Sequence, residues 1–123
     1  MSRALENLWL RVHEERMAET PPQEFAQGGR IVIERNIVHH SNLGVELASE
    51  HAGKNTSYIT LRNNFFYNNT QAGIAIGGYD KRRGSTENCV IVNNTLYNNF
   101  TQRDWGAELY IQFDTRNNII KNN

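Results

Sequence analysis

The chain has one cysteine, Cys89, no net charge and no long apolar run. A single cysteine excludes an intrachain disulfide. Thirteen basic and thirteen acidic residues cancel. That balance argues against electrostatic capture of nucleic acid or of an anionic membrane surface. No stretch approaches the roughly 18 apolar residues of a membrane span. The first residues also lack the apolar core of an export signal. A cytoplasmic location is the default reading. A secreted or periplasmic one applies if the chain is a fragment of a longer exported protein. Aromatic and aliphatic residues are too abundant for a disordered chain.

Asparagine is what the chain has in excess. There are seventeen, more than any other residue type. Four fall in N-x-Ser/Thr matches, at Asn55, Asn68, Asn93 and Asn99. So asparagine-rich a chain contains such matches by chance, and they carry no argument for glycosylation.

Residues 1–29 read as an N-terminal helix and loop that cap the rest of the chain. Leu5, Leu8, Trp9 and Val12 form one apolar stripe at helical spacing within residues 3–19. Ser2 suits the N-cap, and Pro21-Pro22 stops the pattern. The alternative is an extended first coil, because Leu8 and Leu10 also alternate.

From residue 30 to 123 the chain aligns with itself. Residues 31–41, 59–69 and 89–99 share one pattern, and 117–123 reads as a shortened fourth copy. This alignment makes Asn36, Asn64, Asn94 and Asn118 equivalent, at spacings of 28, 30 and 24 residues. A second short strand follows in each copy, at Gly44-Val-Glu-Leu, Gly73-Ile-Ala-Ile and Glu108-Leu-Tyr-Ile. Such periods bury their apolar faces only by stacking. The expected fold is therefore all-β, a parallel β-helix or β-solenoid of three to four rungs. Three inward rows are expected: Ile31, Ile59 and Cys89; Ile33, Leu61 and Ile91; Val38, Phe66, Leu96 and Ile120. Asn36, Asn64, Asn94 and Asn118 are expected to form an amide ladder at one corner. His40, Asn68, Asn98 and Asn122 are expected to repeat this at the next corner, with Ser41, Asn69, Asn99 and Asn123 beside them.

The repeated Asn-Asn core, followed by Gly-[Val/Ile]-x-[Leu/Ile], resembles the right-handed parallel β-helix repeat family. That superfamily includes pectate lyases, polygalacturonases, alginate epimerases and NosD-type periplasmic proteins. The resemblance covers about three-quarters of the chain. It implies an interaction with a polysaccharide or acidic glycan, and for an enzyme a lyase, hydrolase or epimerase activity. None of the family's catalytic motifs is present, neither N-T-D, D-D, G-H-G and R-I-K nor W-x-D-H. No catalytic residue can be assigned, and no cofactor is implied.

Candidate ligand-binding residues fall in two places. The segment 77–84 carries Tyr79, Asp80, Lys81, Arg82 and Arg83. It reads as an anion-binding loop with an aromatic platform, or simply as a solvated turn. Glu46, Ala75 and Tyr110 are expected in one outward row. With Trp105, Gln112 and the neighbouring Glu50-His51, Glu46 and Tyr110 would line a shallow saccharide groove, unless they are plain surface. His39 and His40 are adjacent, which on a strand sends them to opposite faces. No metal site is expected. Cys89 lies in an aliphatic row and reads as an inert buried thiol. The last repeat has no visible cap, so its open end is expected to join another copy into a homo-oligomer, or the chain is a fragment of a longer β-helix.

Overall fold

A computed structural model describes residues 31–123, together with the backbone of Arg3–Glu6 and Leu10–Val12. Fifteen strands follow one another: β1 Arg3–Glu6, β2 Leu10–Val12, β3 Ile31–Glu34, β4 Asn36–His39, β5 Leu43–Ser49, β6 Thr56–Ser57, β7 Ile59–Arg62, β8 Phe65–Tyr67, β9 Ala72–Gly78, β10 Thr86–Glu87, β11 Val90–Val92, β12 Thr95–Tyr97, β13 Ala107–Gln112, β14 Thr115–Arg116 and β15 Ile119–Lys121. They assemble into four parallel sheets, in the orders β1-β4-β8-β12, β14-β10-β6, β15-β11-β7-β3 and β13-β9-β5-β2. Each strand therefore pairs with its counterpart one period away. This is a parallel β-solenoid of about three turns, with no helix among the described residues.

The apolar rows stack as the alternation demands. Ile31 lies opposite Ile59, and Ile33 opposite Leu61 and then Ile91. Val38, Phe66 and Leu96 form the row behind the next sheet. Val45 and Leu47 stack on Ile74 and Ile76. Together with Cys89 these side chains make one continuous cluster, in which Ile31, Ile33 and Leu96 are partly buried. Burial pushes the Cys89 thiol up to about 11, so it stays protonated at neutral pH.

The corners divide labour within each Asn-Asn pair. The first member takes the left-handed conformation, as at Asn63 (φ 56°), Asn68 (φ 53°), Asn93 (φ 56°) and Asn98 (φ 53°). Asparagine tolerates that region better than most residues. The second member turns inward and joins a ladder. At the first corner, Asn36 Nδ2 donates to Asn64 Oδ1 (3.0 Å), Asn64 Nδ2 to Asn94 Oδ1 (2.9 Å), and Asn94 Nδ2 to Asn123 Oδ1 (2.8 Å). The backbone amides of Asn36, Asn64 and Asn94 donate to the same oxygens. Each amide also donates to a strand carbonyl, Asn94 to Leu61 O for example.

The fourth copy is in a different register from the one expected. Ile120 pairs with Ile91, which puts β15 on β11 and not on β12. Asn123 therefore ends the ladder in place of Asn118. Asn118 sits one corner earlier, accepting from Cys89 N and donating to Thr86 O. Asn-Asn pairs five residues apart occur at successive corners, so the motif alone fits two registers. Strand pairing selects the one with a nearly constant period.

A second ladder runs beside the first. Ser41 N donates to Asn69 Oδ1, and Asn69 Nδ2 to Asn99 Oδ1 (2.8 Å). Its last acceptor is a carboxylate. Asn99 N and Nδ2 donate to the two oxygens of Glu108, at 3.0 and 2.6 Å. Glu108 follows Gly44 and Gly73 in its row. A Cβ at Gly73 would come within 2.6 Å of Leu96 and 2.7 Å of the Asn99 amide, so glycine is required wherever a ladder amide lies beneath.

The capping helix expected over residues 3–19 lies largely outside the described residues. Its two described pieces run as strands. Arg3–Glu6 pairs with β4 and Leu10–Val12 with β5.

Replacing Asn94 by alanine removes two donated and two accepted hydrogen bonds in a buried setting. The expected loss is about 3 kcal/mol in urea unfolding. Asn98→Gly keeps the left-handed turn, gives up only the exposed bond from Asn98 Nδ2 to Asn68 Oδ1 (2.7 Å), and is expected to change stability by less than about 1 kcal/mol. Equal effects at the two positions would refute the division of labour.

Candidate functional site

Glu46 and Tyr110, two of the residues expected to line a groove, lie on the outward face of β5, β9 and β13. Glu46 lies opposite Ala75, and Ala75 opposite Tyr110. The small Ala75 side chain leaves a floor between its two larger neighbours. Leu43, Ala72 and Ala75 form a separate apolar cluster outside the main core, and Tyr110 packs against it. Around this floor lies an open depression of about 390 Å³. Glu46, Glu50, Gln71, Tyr79, Trp105 and Tyr110 line it, with Asn42, Leu43 and Gln112. The Trp105 and Tyr110 rings lie 5.6 Å apart and tilted by 56°. Trp105 is 43% exposed and Tyr79 is 52% exposed, so both present ring surface to solvent.

Four expected site residues thus converge: Glu46, Tyr79, Trp105 and Tyr110. The loop after β9 divides the others. Asp80 Oδ1 accepts the backbone N–H groups of Arg82 (2.8 Å) and Arg83 (2.9 Å). Its Oδ2 accepts from Arg83 Nε at 2.7 Å. The Arg83 guanidinium lies 4.3 Å from the centre of the Tyr79 ring. Asp80 and Arg83 are therefore committed to shaping the loop. Gly84 (φ 80°) seats the loop on Ser49 O, where a Cβ would collide. Lys81 and Arg82 line a different depression at the neighbouring corner.

Sequence reading missed Leu43, the first residue of β5, and Asn42 and Gln71, which enter the depression from the turns preceding β5 and β9. Periodicity carries no signal for turn residues. Gln71 Oε1 is buried without a hydrogen-bond partner among the described residues. The expectation that His39 and His40 face opposite ways fails. His40 adopts φ 54°, which ends the strand and brings its Nδ1 to 2.7 Å from that of His39. The His39 ring also stacks on Tyr67 at 4.7 Å. No group of three or more His, Cys, Asp or Glu is placed to hold a metal among the described residues.

Aromatic faces beside carboxylate and amide groups can stack on a ring and hydrogen-bond its hydroxyls. The chain is a parallel β-solenoid. It is similar to the uncharacterised protein YwoF of Bacillus subtilis (strain 168), at 44% identity over 100 residues, 80% of this chain. The match covers 21% of that protein, so the chain spans about a fifth of the length of the curated relative it matches. No family model matches the chain, and no solved structure matches it.

The Arg83 side-chain hydrogen bond, then the Arg82 N–H, hold the Asp80 carboxyl below its ordinary value of 3.8. A lowered folded value means the stabilisation is present above pH 3.8 and is lost as pH falls through that lower value. Protection of the amides in residues 79–83, taken relative to their intrinsic exchange rates, is therefore expected to fall on acidification below pH 3.8, and Asp80→Asn to show fast exchange at neutral pH. Exchange of Asp80→Asn as slow as wild type would contradict this role.

Proposed function

We propose that the chain is a carbohydrate-interacting β-solenoid of the pectate lyase-like superfamily, and that its saccharide lies in the depression on β5, β9 and β13. One observation supports this reading most. Trp105, Tyr110 and Tyr79, from separate elements, meet around one floor ringed by Glu46, Glu50 and Gln112. The proposal is of binding alone, since no family catalytic motif is present. Ring stacking contributes about 1 kcal/mol per aromatic, so Trp105→Ala and Tyr110→Ala should each weaken a glycan hit by about fivefold or more in calorimetry. A glycan array with no hit, or hits indifferent to both substitutions, would overturn the reading.

A second reading is assembly of two copies through the last coil. The observation behind it is that Ile111 (49% exposed) and Ile120 (37%), which continue the inward rows of Ile76 and Ile91, leave apolar surface on the last coil. Sedimentation at micromolar concentration should show a dimer, dispersed by Ile120→Lys. A monomer with cooperative unfolding would remove this reading.

A further inference from the structure

The corner beside the loop after β9 holds a second depression, of about 320 Å³. It is built by three successive coils. The first contributes Lys54, the second Lys81, Arg82 and Glu87, and the third Asp114 and Arg116. Its charges do not cancel, although those of the whole chain do. Arg116 is already answered by Asp114, which accepts from its Nε at 2.9 Å and its Nη2 at 2.7 Å. Glu87 accepts from Ser85 Oγ at 2.7 Å and supplies the remaining negative charge. Lys54, Lys81 and Arg82 then stand against Glu87 alone, which leaves two positive charges in excess.

The backbone that carries two of the bases is also held in place. Asp80 accepts both amide hydrogens of the Arg82-Arg83 step, and Tyr79 N donates to Arg83 O at 2.9 Å. The loop backbone that carries Lys81 and Arg82 is therefore ordered before any ligand arrives. Less ordering entropy is then lost on binding. Two ammonium groups and a guanidinium on three different stems offer donors from several directions. That arrangement suits a tetrahedral oxyanion better than a planar carboxylate, which one guanidinium satisfies side-on.

We infer that this corner binds a doubly charged tetrahedral oxyanion, a phosphate or sulfate group, independently of the aromatic depression. Lys81 and Arg82 are its principal donors, with Lys54 from the preceding coil. The same loop thus serves two depressions, with Tyr79 in one and Lys81 and Arg82 in the other.

Titration with inorganic phosphate, inorganic sulfate and acetate at constant ionic strength tests this, followed by amide chemical shifts of residues 53–55, 81–87 and 114–116. Phosphate, sulfate or both should bind saturably at this corner, and the tighter of the two identifies the ester the site prefers. The double variant Lys81→Ala/Arg82→Ala should bind about tenfold more weakly or worse, and Lys54→Ala should weaken binding by a smaller factor. Lys121→Ala removes the same single charge as Lys54→Ala, from the last coil, and should leave the affinity unchanged. The far-UV spectrum of each variant verifies the fold. No saturable shifts with either dianion would overturn the inference. So would acetate binding as tightly, or equal weakening by Lys121→Ala. None of these outcomes depends on whether a glycan binds beside Trp105.

Discussion

The hydrogen bond between one buried asparagine amide and the next is the interaction on which the stack depends. A β-solenoid must turn its backbone at every corner, and each turn withdraws amide and carbonyl groups from sheet pairing. Those groups lie inside, where an unmet donor costs on the order of 1–3 kcal/mol. An asparagine side chain supplies both a donor and an acceptor at that point. Asn64 shows the economy of the arrangement. Its Oδ1 accepts two hydrogens from Asn36, and its Nδ2 reaches Ile33 O, Arg62 O and Asn94 Oδ1. The corner of one coil is thereby satisfied by the corner of the next. The apolar rows then have no choice but to align, because the ladder sets the period.

The ladder also constrains what lies across from it. Gly73 faces the amide of Asn99 and has no room for a side chain. In the third coil the same row holds Glu108, whose carboxylate takes up the two hydrogens that Asn99 presents. An acceptor-only group suits that place, since it meets donors and needs none in return. The departure from glycine was visible in the sequence at the start of the third Gly-[Val/Ile]-x-[Leu/Ile] motif. Its meaning was not, because it depends on the asparagine nine residues earlier.

The candidate site follows from the same geometry. A long outward-facing strand recurs in each coil, so Glu46, Ala75 and Tyr110 come into one row without further design. Alternation was enough to place those three. It was not enough to place Trp105 against Tyr110, or to bring Asn42 and Gln71 to the rim, because turns have no period. The loop after β9 is the clearest case. Its five polar and aromatic residues read in sequence as one anion-binding unit or as a solvated turn. Asp80 and Arg83 instead lock the loop, Tyr79 faces the aromatic depression, and Lys81 and Arg82 face the next corner.

By itself the sequence determined that the chain would stack in parallel coils, which rows of the first three copies would point inward, and that asparagine would line the corners. Period-two alternation and a repeat are local properties, and every coil carries them in full. The tertiary structure alone decided the register of the last coil and the division of each Asn-Asn pair into a turn residue and a ladder residue. The motif occurs at successive corners with the same spacing, so it fits either register. Only the pairing of β15 on β11 tells them apart, since a slipped strand would take Ile120 out of the row of Ile91 and leave Asn94 without its acceptor.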